Sequence, residues 1–130
     1  MAQKEIEVIL ARQLAEYLTL PIFIVDPAGD LLYYNEPAEV ILGSRFEETG
    51  PISANDLSVI FKTVDQDGVP VKSSNLPLVK ALVNKQPAHG ILWIEGLDSR
   101  LRKIAVTAFP LIGQAQRFLG AIAIFWEVPK

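Results

Sequence analysis

The chain has 130 residues, 50% of them hydrophobic and 21% charged, which suits one domain with its own core and is too apolar for a disordered segment. A formal charge of −3, with the densest basic stretch confined to Arg100, Arg102 and Lys103, excludes the basic footprint of a nucleic-acid binder. The absence of cysteine excludes disulfides, cysteine-ligated zinc and thiol catalysis.

Along the chain, Ile6, Leu10, Leu14, Tyr17 and Leu18 recur at three- and four-residue steps, which predicts an amphipathic helix over 4–18. Its early acids give it no signal-peptide character. Pro21 ends it. Ile22–Val25 and Leu31–Tyr34 read as strands joined by Asp26-Pro27-Ala28-Gly29-Asp30, a turn signal that makes them a hairpin. Asn35 then caps a short helix, with Pro37 in its first turn and Gly43 as its stop. Residues 44–52 read as loop. Ser53 opens a short helix carrying Leu57, Ile60 and Phe61. Residues 64–74 read as loop again, and Asn75 is expected to cap a helix reaching Asn84, with Leu78, Val79, Leu82 and Val83 as its apolar stripe. Three strands close the chain, over 91–94, 102–109 and 118–126. Short connections make them antiparallel neighbours. Arg100, Arg102 and Lys103 read as an exposed strand start. The longest apolar run, 120–126, is too short to cross a bilayer, and a cytoplasmic location is expected.

The predicted class is therefore α+β, within the broader α/β group: a five-stranded antiparallel sheet with short helices on one face and an N-terminal helix. Residues 1–20 form that helix, and 21–128 form the domain proper.

Three stretches in this order resemble the PAS sensor family. The first is Ile22-Phe23-Ile24-Val25-Asp26 through Gly29, with Leu31-Leu32-Tyr33-Tyr34-Asn35 and Ala38. The second is Asp67-Gly68-Val69-Pro70 followed by Leu76-Pro77-Leu78-Val79-Lys80-Ala81-Leu82, similar to the family's "DG-x-P … PL-x-x-AL" pattern. The third is 104–111 with 119–125. The resemblance implies a sheet that cups a small pocket against the central helices. It also implies a role in bacterial signalling, by binding a small ligand or by relaying a signal through dimerisation to a downstream effector such as a kinase or cyclase. The alternative is a ligand-free interaction domain with a solid core. On the resemblance, the pocket wall is expected at Tyr33, Val79, Leu82, Ile104, Val106, Ile122 and Ile124. Where the family closes with Asp-Ile/Val-Thr, this chain has Glu127-Val128-Pro129, which makes Glu127 the candidate for coupling to an output.

Other chemistry has little support in the residues. Light-sensing flavin members of the family need a reactive cysteine, so cysteine-dependent flavin photochemistry is excluded. Haem-binding members take a histidine from the helix matching 76–84. His89, the only histidine, lies beyond it. Asp65-Gln66-Asp67-Gly68 resembles the start of a calcium loop but lacks the later Glu, so it reads as a turn. One histidine builds no metal shell and no convincing catalytic triad, and the chain is not expected to be an enzyme. Tyr33, Tyr34 and Asn35 offer polar contacts to a pocket ligand, set against the plainer reading of one tyrosine in, one out, and a helix cap.

Residues 118–126 are apolar on both faces, with Ile122, Ile124 and Trp126 on one and Ala121, Ala123 and Phe125 on the other. A second covering layer is therefore required. The N-terminal helix, either the chain's own or a partner's, is expected to supply it, and the small Ala121 and Ala123 invite close approach. A homodimer is expected, with Ile6, Leu10, Leu14, Ala121 and Ala123 at its interface.

Overall fold

The computed structural model describes the backbone of residues 6–129 and the side chains of these residues other than 58–60. Helix α1 (Ile6–Tyr17) leads into β1 (Ile22–Val25) and β2 (Leu31–Tyr34), followed by three short helices, α2 (Glu36–Leu42), α3 (Phe46–Thr49) and α4 (Ala54–Ile60). Strand β3 (Lys62–Val64), a 3-10 turn at Ser73–Asn75 and α5 (Pro77–Asn84) precede the long strands β4 (Ala88–Glu95), β5 (Leu101–Ile112) and β6 (Phe118–Glu127). Positions 4 and 5 of the predicted first helix, and the side chain at 60, lie outside the described residues.

The sheet has six strands, not five, in the order β2-β1-β6-β5-β4-β3, with every pairing antiparallel. The added strand, β3, lies in the segment predicted to pass from helix into loop. It has only three residues and no alternation to betray it, and its pairing with residues 93–95 of β4 makes it a strand. Strands β4 and β5 also run further than predicted. Pro110 is tolerated within β5 because β4 ends at Ala88, opposite Ala108, so the missing N–H points where no strand follows. At Gly120 the backbone has φ +133, and a Cβ there would collide with the Val25 carbonyl. Only glycine lets β6 approach β1 this closely.

Residues opposite one another across an antiparallel sheet share a face. Phe23, Ala123 and Ala108 form one such row, and Ile24, Ile122 and Phe109 form another. The first row belongs to the main core with Val25, Ala121, Phe125, Ile104, Val106, Leu92 and Ile94, roofed by Ala38, Ile41 and Leu42 of α2 and Ala81 of α5. The second row lies under α1, with Ile22, Ile124, Leu111, Leu32 and Tyr33 against Ala11, Ala15 and Leu18. Thus Ala121 and Ala123 lie beneath the central helices, not beneath α1, and both are buried. Close approach of α1 comes from its own alanines.

Asn35 joins these layers. Its Oδ1 accepts from the Ala38 N–H at 3.3 Å, capping α2 as predicted, and from the Ile22 N–H at 2.9 Å. Its Nδ2 donates to the carbonyls of Ala15 at 3.0 Å and Leu20 at 2.8 Å. One buried side chain therefore fastens the end of α1, the start of β1 and the start of α2. By contrast, Asn75 caps nothing. The residue before α5 is Leu76, and Pro77 stands in the first turn, where its fixed φ suits a helix start.

Candidate functional site

The sheet divides the seven predicted pocket residues. Ile104 and Val106 are buried on the helix side, where Leu82 packs against the core and Val79 is half-buried on α5. Tyr33, Ile122 and Ile124 lie on the opposite face, beneath α1. The sheet therefore stands between the two groups. On the helix side, aromatic rings occupy the space between sheet and helices. The Phe23 ring centroid lies 5.7 Å from that of Tyr34, 6.1 Å from Phe61 and 5.5 Å from Phe125. The Tyr34 hydroxyl is satisfied at the rim, donating to the Ser44 carbonyl at 3.0 Å with Thr49 Oγ1 at 3.1 Å. Burial pushes its pKa up, so it stays protonated at neutral pH.

On the other face, α1 docks in its own chain through Val8, Ala11 and Ala15, with Leu18 just past its end. A latch holds its first turn: the Gln114 N–H, in the β5–β6 turn, donates to Glu7 Oε2 at 2.9 Å. That bond, followed by the Glu7 backbone N–H, lowers the Glu7 pKa. Beside α1 runs an open crevice of about 290 Å³ floored by Ile24 and Leu32. Here the Arg12 guanidinium sits 4.5 Å from the Tyr33 ring centroid and 5.7 Å from that of Phe46. Burial, then the nearby Glu16 carboxylate, raises the Tyr33 pKa.

Docking by the small side chains turns the large ones away from the sheet. Ile6 is 64% exposed, Leu10 55%, Leu14 61% and Tyr17 83%. Of the stripe that sequence periodicity singles out, Ile6, Leu10, Leu14 and Tyr17 thus form the outer surface of α1, while Leu18, just past its end, packs inward. Of the predicted interface set, Ile6, Leu10 and Leu14 share this surface, whereas Ala121 and Ala123 are in the core.

The last strand ends in a cluster that sequence reasoning missed. Arg102 is buried, not exposed. Its guanidinium donates to the Ile41 carbonyl at 2.8 Å and to Asp98 Oδ2 at 3.2 Å, and its Nε lies 3.8 Å from Glu127 Oε1. The Leu97 N–H donates to the Leu42 carbonyl at 2.7 Å. The carbonyl end of α2, which a helix leaves unsatisfied, is therefore capped by the β4–β5 turn and a cation suited to the helix dipole. Glu127 remains half-exposed at the rim of this cluster. His89 lies in β4, exposed, with Nδ1 3.0 Å from Thr107 Oγ1. Among the described residues no three His, Asp or Glu side chains converge into a metal site, and no helix is long and apolar enough to cross a membrane.

No family model matches the sequence, and no curated protein matches it. Solved structures do match. The PAS domain of a protein from Colwellia psychrerythraea has a TM-score of 0.66 at 15% identity, covering 93% of this chain and 96% of that one. The PAS domain of nitrogen regulation protein NR(II) from Vibrio parahaemolyticus has a TM-score of 0.62 at 18% identity, covering 92% and 98%. A Rhodobacter sphaeroides LOV protein has a TM-score of 0.74 at 12% identity, covering 97% of this chain and 70% of that chain. The fold expected from the sequence motifs, a PAS fold with its curled antiparallel sheet and helices, is the fold of this chain.

Proposed function

We propose that this PAS-fold chain is a cytoplasmic sensory-signalling module that acts as a dimerising relay, with the outward stripe of α1 meeting the same stripe of a second copy. The observation that carries the reading is the exposure of Ile6, Leu10, Leu14 and Tyr17 on one surface of a helix whose other side is already docked. Monomers rarely expose contiguous apolar patches above a few hundred Å² without an interaction to cover them. A self-complementary stripe suits a two-fold dimer. The aromatic filling of the cup favours this relay over a ligand held between sheet and helices. On this reading the chain performs no catalysis. A shift of α1 reaches β6 through Ile122 and Ile124, and reaches an effector domain through the Glu127 end of that strand. The names of the structural neighbours, which include a nitrogen regulation protein and a LOV protein, support a signalling role.

The test is sedimentation equilibrium on wild type and Leu10→Asp. Leu10 faces outward, so the substitution should leave thermal melting within a few degrees while weakening the dimer at least tenfold. A wild type that stays monomeric at roughly 300 μM, where ordinary specific dimers are populated, ends the dimer reading.

A further inference from the structure

The far edge of the sheet carries an interaction surface of a different kind. Strand β3 pairs with β4 only at residues 93–95, so among the described residues no strand lies beyond 88–92. Which backbone groups face that edge follows from the ladder. The Val71 N–H donates to the Thr63 carbonyl at 3.1 Å, so Thr63 faces away from β4 while Lys62 and Val64 face it. Their partners Glu95 and Trp93 therefore face β3, and the alternation of an antiparallel ladder turns His89 and Ile91 to the same side. Gly90 and Leu92 turn the other way, to Val106 and Ile104 of β5. The N–H and C=O groups of His89 and Ile91 thus form an unpaired template, the kind of edge that natural sheets usually block.

This edge is blocked by neither a lysine nor a proline within 88–92, and it borders a groove of about 450 Å³. Its lining includes Ile91 and Trp93 of β4 and, from the segment after β3, Asp65, Asp67 and Asn75. Ile91 is 61% exposed. Of the two acids, Asp65 Oδ1 is used by its own turn, accepting from the N–H groups of Asp67 and Val69. Lys103, the one cation among the described residues lining the groove, is drawn over the Trp93 ring, 5.3 Å from its centroid.

We infer that this edge takes an extended peptide of alternating apolar and basic residues as a seventh strand. Side chains alternate along a strand. Apolar ones meet Ile91 and Trp93, while basic ones on the other side meet the Asp65 and Asp67 carboxylates. Backbone bonds to His89 and Ile91 supply the pairing, and these side chains supply selectivity.

The test uses capped hexapeptides alternating valine with lysine, valine with glutamate, and valine with lysine carrying an N-methyl group on every amide. Amide hydrogen exchange of the folded chain is followed by NMR. With the valine–lysine peptide at about 1 mM, exchange at His89 and Ile91 should slow at least tenfold, and Gly90 and Leu92 should change less. The glutamate peptide should bind at least tenfold more weakly, and the N-methyl peptide should give no protection. Asp67→Asn, which removes charge without touching the turn bonds, should shrink the lysine-over-glutamate preference at least threefold. No binding, or binding without protection at His89 and Ile91, overturns the inference. Protection that rises with protein concentration alone would assign the edge to a second copy instead.

Discussion

Replacing Arg102 by methionine isolates the cluster at the end of α2. Methionine keeps most of the length and apolar stem but removes every donor. The Ile41 carbonyl, paired at 2.8 Å with a guanidinium that is almost wholly buried, is then left in the interior without a partner. An orphaned buried acceptor costs about 1–3 kcal/mol, and hydrogen bonds to charged groups lie toward the upper end. The Asp98 contact is lost as well. The Glu127 contact adds little, because its carboxylate is half-exposed and 3.8 Å away. The expected loss is therefore about 2–3 kcal/mol, or roughly 10 °C in Tm for a domain of this size. Urea denaturation should show a lower midpoint with an unchanged m-value. Glu127→Gln should cost under about 0.5 kcal/mol. A loss below about 1 kcal/mol for Arg102→Met, or equal losses for the two variants, would refute the assignment of Arg102 as the cap of α2.

Two further outcomes follow from local geometry. The Glu7 carboxylate is held below its ordinary pKa of 4.5 by the Gln114 N–H. Its contribution to docking α1 is thus complete above that value and is lost as pH falls through the lower folded value. The protection factor of the Gln114 amide, its exchange rate corrected for the intrinsic pH dependence, should fall on acidification in wild type and be flat over the same range in Glu7→Gln; parallel profiles would exclude the latch. In the β5–β6 turn, Ala115 and Gln116 both adopt left-handed backbone, at φ 57 and 59, the conformation of a type I′ hairpin. Gln116→Gly should therefore stabilise by about 0.5–1 kcal/mol, read as a Tm increase of a few degrees. A decrease would mean the glutamine side chain is needed.

The elements legible in the sequence are those whose signals are local. The β1–β2 hairpin has its Asp26 turn, in which Oδ1 accepts from the Ala28 and Asp30 N–H groups. Helix α2 has Asn35 at one end and Gly43, at φ 79, at the other. Helix α4 has Ser53, whose hydroxyl accepts from the Asp56 N–H. What depends on distant partners was hidden. Strand β3 exists through β4, 29 residues away in the Val64–Trp93 pair by their numbering. Arg102 is buried because the Ile41 carbonyl, 61 residues earlier, waits for it. The swapped assignment of Ala121 and Ala123 has a simpler cause. A period of two separates a strand into two sets of side chains, but an even repeat does not say which set meets which layer.

Helix α1 deceived for a related reason. It carries apolar residues on two sides, and the larger side chains of one side dominate its periodicity. Yet a helix crossing the broad isoleucine surface of Ile22, Ile24 and Ile122 sits closest with alanine against it, and Ala11 and Ala15 take that place. Size on the sheet side is thus balanced by smallness on the helix side, which releases Ile6, Leu10, Leu14 and Tyr17 to solvent. On the reverse face the relation inverts. Ala108, Ala121 and Ala123 are on the sheet, and the bulk comes from Phe23, Phe125 and the helices above. Strand β6 takes part in both arrangements, with Ile122 and Ile124 toward α1 and Ala121, Ala123 and Phe125 toward the cup. Because interiors are close-packed and transmit displacement, α1 cannot slide over its isoleucines without loading the strand that ends beside Arg102 at Glu127. In the proposed relay, β6 is the one strand shared by the two cores, and it is the element a shift of α1 would load.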